Sequence, residues 1–157
     1  MKEITATLLF LVTDTKILLA MKKRGFGINR YNGVGGKPEP GETIEQTMIR
    51  ESIEEIGVTP INFKKIAKIA FNEYLKGEPV IMNMHVFLSD KWSGEPIETE
   101  EMAPKWFDKD KVPFEIMWPD DLYWLPQVIN EQKLTANFKL DINDKITSHN
   151  IKIVDEI

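Results

Sequence analysis

The chain has 157 residues, 42% hydrophobic and 29% charged, which suits one domain with a real core in an ordinary soluble globular protein. A net charge of -5 and a pI near 5.2 argue against a general binder of nucleic acid or anionic membrane, although an acidic protein can still handle phosphates through metal ions. With no cysteine, disulfides, thiolate metal sites and a cysteine nucleophile are excluded.

Taken in chain order, the first apolar run, Ala6 to Val12, is too short to span a bilayer, and no small-residue cleavage site follows it. It reads as a first strand, and the protein as cytoplasmic. Ile4 to Val12 and Lys16 to Met21, split by Thr13-Asp14-Thr15, predict a hairpin. Lys22 to Glu42 is rich in Gly and Pro, hence loop, with a short strand near Tyr31 to Gly35. Thr43 and Gln46 have the spacing of a capping box, and Gly57 suits the left-handed position that ends a helix. Phe63 to Tyr74 and Val80 to Leu88 read as two longer strands, and Lys105 to Phe107 as a short one. Pro119 and two aspartates open a second helix, to about Gln132. The tail, alternating at Phe138, Leu140 and Ile142 and again at Ile151 and Ile153, predicts a last hairpin turning near Asn143-Asp144. The expected fold class is α+β, a mixed β-sheet with helices packed on it, in a single domain over residues 1–157.

The first helix carries the chemistry. At about 100° per residue, Ile44, Met48, Ile49, Ser52, Ile53 and Ile56 form an apolar half with Ser52 as its one polar dent. Glu51, Glu54 and Glu55 crowd a separate arc. An ordinary solvated face would offer Lys or Arg four residues on, but Glu51 meets Glu55, and Val58 and Thr59 follow the other two. The acids also lie toward the helix C-terminus, where the dipole disfavours negative charge. The local pattern leaves two readings open: an acidic surface, or a bound divalent cation.

The flanking residues extend that pattern. Gly36, Glu42, Arg50, Glu51, Glu54, Glu55 and Gly57 match G-x5-E-x7-R-E-U-x-E-E-x-G-U, with Val58 as the last apolar position. Every fixed position is present across the 23 residues, and only Ser52 departs, standing where an aliphatic residue is usual. The chain thus resembles the Nudix hydrolases. The resemblance implies the Nudix fold, a mixed sheet sandwiched between helices, and Mg²⁺, or Mn²⁺, held by Glu51, Glu54 and Glu55 with the backbone carbonyl of Gly35. Those glutamates would also supply catalysis, one of them as base to the attacking water. Arg50 would pair with Glu42 or another glutamate and hold the loop to the helix.

Outside the box, "MKKRGFG" (Met21 to Gly27), "NGVGGK" (Asn32 to Lys37), "GETIE" (Gly41 to Glu45) and "MWPDDLYW" (Met117 to Trp124) resemble one subgroup, the oxidised-purine nucleoside triphosphate hydrolases acting on 8-oxo-dGTP and 2-oxo-dATP. This likeness implies a purine pocket in which Trp118 stacks on the base, Phe26 and Phe71 line its sides, and Asn32 offers a donor and an acceptor. Asp120 and Asp121 would share a proton, since neighbouring carboxylates resist double ionisation. Thr7, Lys22, Gly36 and Lys37 complete the expected substrate site, and Glu101 is an expected further metal ligand. Read without the resemblance, Pro-Asp-Asp is a helix start, Trp118, Trp124 and Phe71 are core, Asn32-Gly33 is a turn, and Glu101 is one of several solvated acids. His85 and His149 are assigned structural or solvent roles.

The expected activity is Mg²⁺-dependent hydrolysis of oxidised purine nucleoside triphosphates to monophosphate and pyrophosphate. The expected partner is a small nucleotide, not nucleic acid or membrane, and the expected state is a monomer. Two alternatives stand beside it: a Nudix hydrolase of another nucleoside diphosphate derivative, and a non-catalytic nucleotide-sensing module.

Overall fold

A computed structural model describes residues 1–157. In chain order they form β1 (Lys2–Leu11), β2 (Lys16–Lys22), β3 (Tyr31–Asn32), α1 (Ile44–Ile56), β4 (Thr59–Leu75), β5 (Glu78–Ser93), β6 (Met102–Asp108), α2 (Asp121–Ile129), β7 (Leu134–Leu140) and β8 (Ile146–Ile153). One sheet has five strands in the order β1-β5-β4-β7-β8, and a second has three in the order β3-β2-β6. The larger sheet is mixed: β1 lies parallel to β5 and β4 to β7, while β4 and β5 are antiparallel, as are β7 and β8. This is the α+β Nudix architecture expected, with helices on both sides. No helix is long and apolar enough to cross a membrane.

Strand alternation explains the layers. Leu8 and Phe10 of β1, and Val12 just past it, join a core with Trp124, Leu125 and Val128 of α2, whereas Leu9 and Leu11 join a second core with Met48 and Ile56 of α1. β2 divides likewise, Ile17 and Leu19 facing one core and Leu18 and Ala20 the other.

The same double burial corrects the first expected hairpin. Thr13 Oγ1 accepts the Lys16 N–H at 3.0 Å, and Val12 and Ile17 make a single antiparallel bridge. Beyond that bridge the strands part, β1 pairing with β5 and β2 with β6. Strands apolar on both faces need cover on two sides, and separation into two sheets supplies it. β4 and β5 also run longer than their apolar cores suggested, and α2 ends at Ile129 rather than near Gln132. There Glu131 adopts φ 59° and turns the chain into β7.

α1 begins and ends as expected. Thr43 accepts the Gln46 N–H, the Gln46 side chain accepts the Thr43 N–H, and Gly57 closes the helix at φ 73°. Its buried face is shifted, however. Ile53 is 47% exposed, while Glu55, predicted on the polar arc, is only 2% exposed. The Glu55 carboxyl lies beside Glu51 and the Gly35 backbone, and the end of the helix is capped from afar: Thr99 Oγ1 donates to the Glu55 carbonyl at 2.8 Å, and the Ile97 N–H to the Ile56 carbonyl at 3.0 Å. The segment before β6 is thereby laid along the C-terminal end of α1.

Candidate active site

The loop entering α1 is laid along the outer edge of β1. Leu9 N–H donates to Val34 O at 2.6 Å, Val34 N–H to Leu9 O at 3.0 Å, and Thr7 N–H to Gly36 O at 2.9 Å. The approach leaves no room for a side chain at Gly35 or Gly36. A Cβ on Gly35 would lie 1.8 Å from the Thr7 carbonyl oxygen, and one on Gly36 would lie 2.5 Å from the Glu51 carboxylate. These two glycines therefore seat the backbone against both β1 and Glu51.

Arg50 ties the far side of the loop to α1. Its Nε donates to Glu42 Oε2 at 2.6 Å and its Nη2 to Glu42 Oε1 at 3.0 Å, a two-pronged pair, while Nη2 also reaches the Lys37 carbonyl at 3.1 Å. Hydrogen bonds from Arg50 hold Glu42 down at about 2. Nη1 of the same guanidinium meets Glu51 at 2.8 Å and Glu54 at 3.2 Å. The cation that partly offsets the acidic arc thus comes from four residues before Glu54, not four after it.

The three helix glutamates occupy three depths. The Glu54 side chain is 54% exposed, that of Glu51 15%, and Glu55 is buried. Burial, then hydrogen bonding to Glu51, then the charge of Glu51 push Glu55 up to about 9, against smaller opposing effects of Lys22 and the Gly35 backbone. Glu55 Oε2 is sealed from solvent with no hydrogen-bond partner. A buried carboxylate oxygen left unsatisfied beside a second carboxylate is not a solvated surface face.

A cavity of about 1430 Å³ opens over this region. Thr7, Lys22, Gly35, Gly36, Lys37 and Glu101 line one part of it. Elsewhere on its wall are Phe26, Asn32, Phe71, Trp118, Asp120 and Asp121. Phe26 stacks on Trp118 with ring centres 5.0 Å apart, and the Arg30 guanidinium lies 4.4 Å from the Trp118 ring. Arg30 also donates to the Met117 carbonyl at 3.0 Å, which fixes the loop carrying Trp118.

The aspartates do more than start α2. Asp120 makes no side-chain cap; its Oδ2 accepts the Trp124 indole N–H at 2.8 Å, and Asp121 Oδ2 accepts the Trp118 N–H at 3.2 Å. Burial first, then the charge of Asp120, pushes Asp121 well above the carboxylate range, and burial raises Asp120 as well. Asn32 lines the cavity while its Oδ1 accepts the Gly33 N–H at 2.8 Å, so turn and wall positions coincide. Phe71 is 8% exposed and stacks on Phe138, and is both core and lining. Trp124 is core.

Glu101 lines the cavity with its carboxylate 3.6 Å from Arg24, and its carbonyl accepts the Lys23 N–H at 2.8 Å. His85, on the α1 side of the sheet, has burial, Lys65 and Lys68 holding it down at about 4, and His149 packs at a tilt against Tyr123 with ring centres 4.5 Å apart. Sequence reasoning missed Arg30 and Glu73 among the lining residues. Arg30 gave no signal beyond a charge in a glycine-rich loop. Glu73 was detectable as an acid on the inward parity of β4, after Ile69 and Phe71.

Comparison with known sequences agrees with this geometry: the profile of the NUDIX domain matches residues 1–128. The chain belongs to the Nudix family. It is 44% identical over 151 residues to the oxidized purine nucleoside triphosphate hydrolase of Danio rerio, with 96% of each chain covered. With the protein of the same name from Mus musculus it shares 43% over 149 residues, covering 95% of this chain and 94% of the other. Among solved structures, the MutT protein from Bacillus halodurans superposes with a TM-score of 0.82 at 25% identity, covering 95% and 97% of the two chains.

Nudix hydrolases generally use a divalent metal. The donor chemistry suits one, although the carboxylates of Glu51, Glu54 and Glu55 are not drawn together into a three-ligand cluster. The donors are hard carboxylate and carbonyl oxygens. The partnerless Glu55 Oε2 and the charge of Glu51 beside it are the features a cation would relieve.

Proposed function

We propose that this Nudix protein hydrolyses oxidised purine nucleoside triphosphates, 8-oxo-dGTP and 2-oxo-dATP among them, to the monophosphate and pyrophosphate. Glu51, Glu54, Glu55 and the Gly35 carbonyl would hold Mg²⁺, with Mn²⁺ as a substitute, and Glu101 would be a further ligand. When bound, the metal neutralises the polyphosphate and activates and orients the attacking water. The observation that carries the reading is a single cavity with the backbone of Gly35 and Gly36, packed against the helix glutamates, in its wall together with Trp118, Asp120 and Asp121.

The chain's own groups divide the work. Lys22 and Lys37 face the phosphates, and Thr7 holds Gly36 in place through the β1 edge. Arg50 keeps the loop against α1, and the Glu51–Glu55 pair takes up the proton of the attacking water. Trp118, braced by Phe26 and Arg30, stacks on the base with Phe71 beneath and Asn32 at its edge. The Asp120–Asp121 pair, with protons held by burial, can donate as well as accept, which suits a guanine-type and an adenine-type edge alike.

The test is kcat/KM for 8-oxo-dGTP, 2-oxo-dATP and dGTP with Mg²⁺ and pyrophosphate detection, repeated for Glu55→Gln. The expected result is preference for the oxidised bases and loss of turnover in the variant. Equal turnover of unmodified nucleotides moves the assignment to another Nudix substrate. Binding without turnover in both proteins makes the chain a non-catalytic module.

A further inference from the structure

The cavity holds a third carboxyl group that the mechanism above leaves unused. Glu73 stands on β4, two residues after Phe71 and on the same side of the strand. Across the sheet it shares a row with Val80 of β5 and Lys2 of β1, and the next row inward holds Phe71, Met82 and Ile4. All six line the cavity. Within these two rows the wall is apolar except for Glu73 and, two strands away at the edge, Lys2.

Nothing within the chain answers this carboxyl. It forms no ion pair, and the nearest acids raise its proton affinity rather than lower it. Burial first, then Asp144 in the β7–β8 turn, then Asp120 push Glu73 up to about 7. The other charged groups around this end are Asp121, Lys2, Lys76 and Glu78. A carboxyl on an apolar wall is costly to desolvate unless something in the cavity hydrogen-bonds to it.

We infer that Glu73 reads the purine edge alongside Asp120 and Asp121, and sets which oxidised bases the cavity accepts. This rests on the purine triphosphate reading above and deepens it. Ionised, Glu73 accepts from base N–H groups; protonated, it donates to a base oxygen, so it discriminates between edges of opposite polarity. It stands apart from the helix glutamates, so its effect falls on the choice of base and not on cleavage.

The experiment compares the ratio of kcat/KM for 8-oxo-dGTP to that for 2-oxo-dATP in wild type, Glu73→Gln and Glu73→Leu, at about pH 6 and about pH 8.5. Glu73→Gln should shift the ratio by about fivefold or more at one pH or both, and weaken its pH dependence. Glu73→Leu should raise KM for the disfavoured base about tenfold with kcat little changed. Ratios equal to wild type in both variants at both pH values overturn the inference while leaving the enzymatic assignment intact. Should wild type hydrolyse neither nucleotide, the substrate assignment fails instead. Calorimetric binding of the two monophosphates to wild type and Glu73→Gln then decides the point: a changed preference supports the role of Glu73, and an unchanged one ends it.

Discussion

Ser52→Ala should make the protein more stable. Ser52 occupies the position of α1 where the Nudix pattern has an aliphatic residue, and it is fully buried with its hydroxyl oxygen unpartnered. Removing an unsatisfied buried hydroxyl recovers about 1–3 kcal/mol. Alanine in a helix interior adds about 0.5 kcal/mol over serine. The void left by one small atom offsets part of this, for a net gain of about 2 kcal/mol. For a chain of this size that corresponds to a rise in Tm of roughly 4–8 °C. Thermal and urea unfolding of both proteins in EDTA would measure it, with the urea m-value checked for constancy. A Tm that stays level or falls would refute the reasoning, because it would mean that the hydroxyl is satisfied by water or by the preceding turn.

Other outcomes follow from the same geometry. Glu55 is raised from 4.5 to about 9 on folding, so the unfolded chain releases its proton first and wild-type stability should fall as pH rises between those values; Glu55→Gln should flatten that slope in EDTA and abolish turnover, as thermal scans across pH and a pyrophosphate assay would reveal. Gly35→Ala forces a methyl to within 1.8 Å of the Thr7 carbonyl, so it should cost more than about 3 kcal/mol by chemical denaturation or detach the loop with loss of activity. Arg50→Lys loses the two-pronged grip on Glu42 and should lower stability by about 2 kcal/mol and kcat by more than tenfold, read by urea unfolding and steady-state kinetics. Asp120→Asn and Asp121→Asn should each alter the pH profile and the preference between 8-oxo-dGTP and 2-oxo-dATP; unchanged profiles in both would remove proton sharing from the account of base recognition.

Much of the site was legible along the chain because its determinants are local. Thr43, Gln46 and Gly57 set the limits of α1 through contacts within one turn, and Gly36 through Gly57 carry the Nudix pattern at fixed spacing. The resemblance left the partner of Arg50 open between Glu42 and another glutamate, and Arg50 in fact bonds to Glu42, Glu51 and Glu54. Local spacing failed where neighbours came from afar. The amphipathic wheel placed Ile53 inside and Glu55 outside, whereas the fold leaves Ile53 exposed and buries Glu55 beside Glu51 and the Gly35 backbone, which comes from the preceding loop. The short turn after Val12 suggested one hairpin, yet burial on both faces sends β1 and β2 into separate sheets.

The residue order alone therefore determined the α+β class, both helix starts and the gathering of acids on α1, since each depends on neighbours within a few positions. Only the tertiary structure decided how deep each acid lies: the Glu54 side chain is half exposed, and Glu55 is buried, which pushes its carboxyl up to about 9. It also decided that Glu73, sixteen residues past the glycine that ends α1, belongs to the cavity wall beside Asp120. Desolvation is set by everything packed around a group, most of it distant in sequence, and no local window contains it.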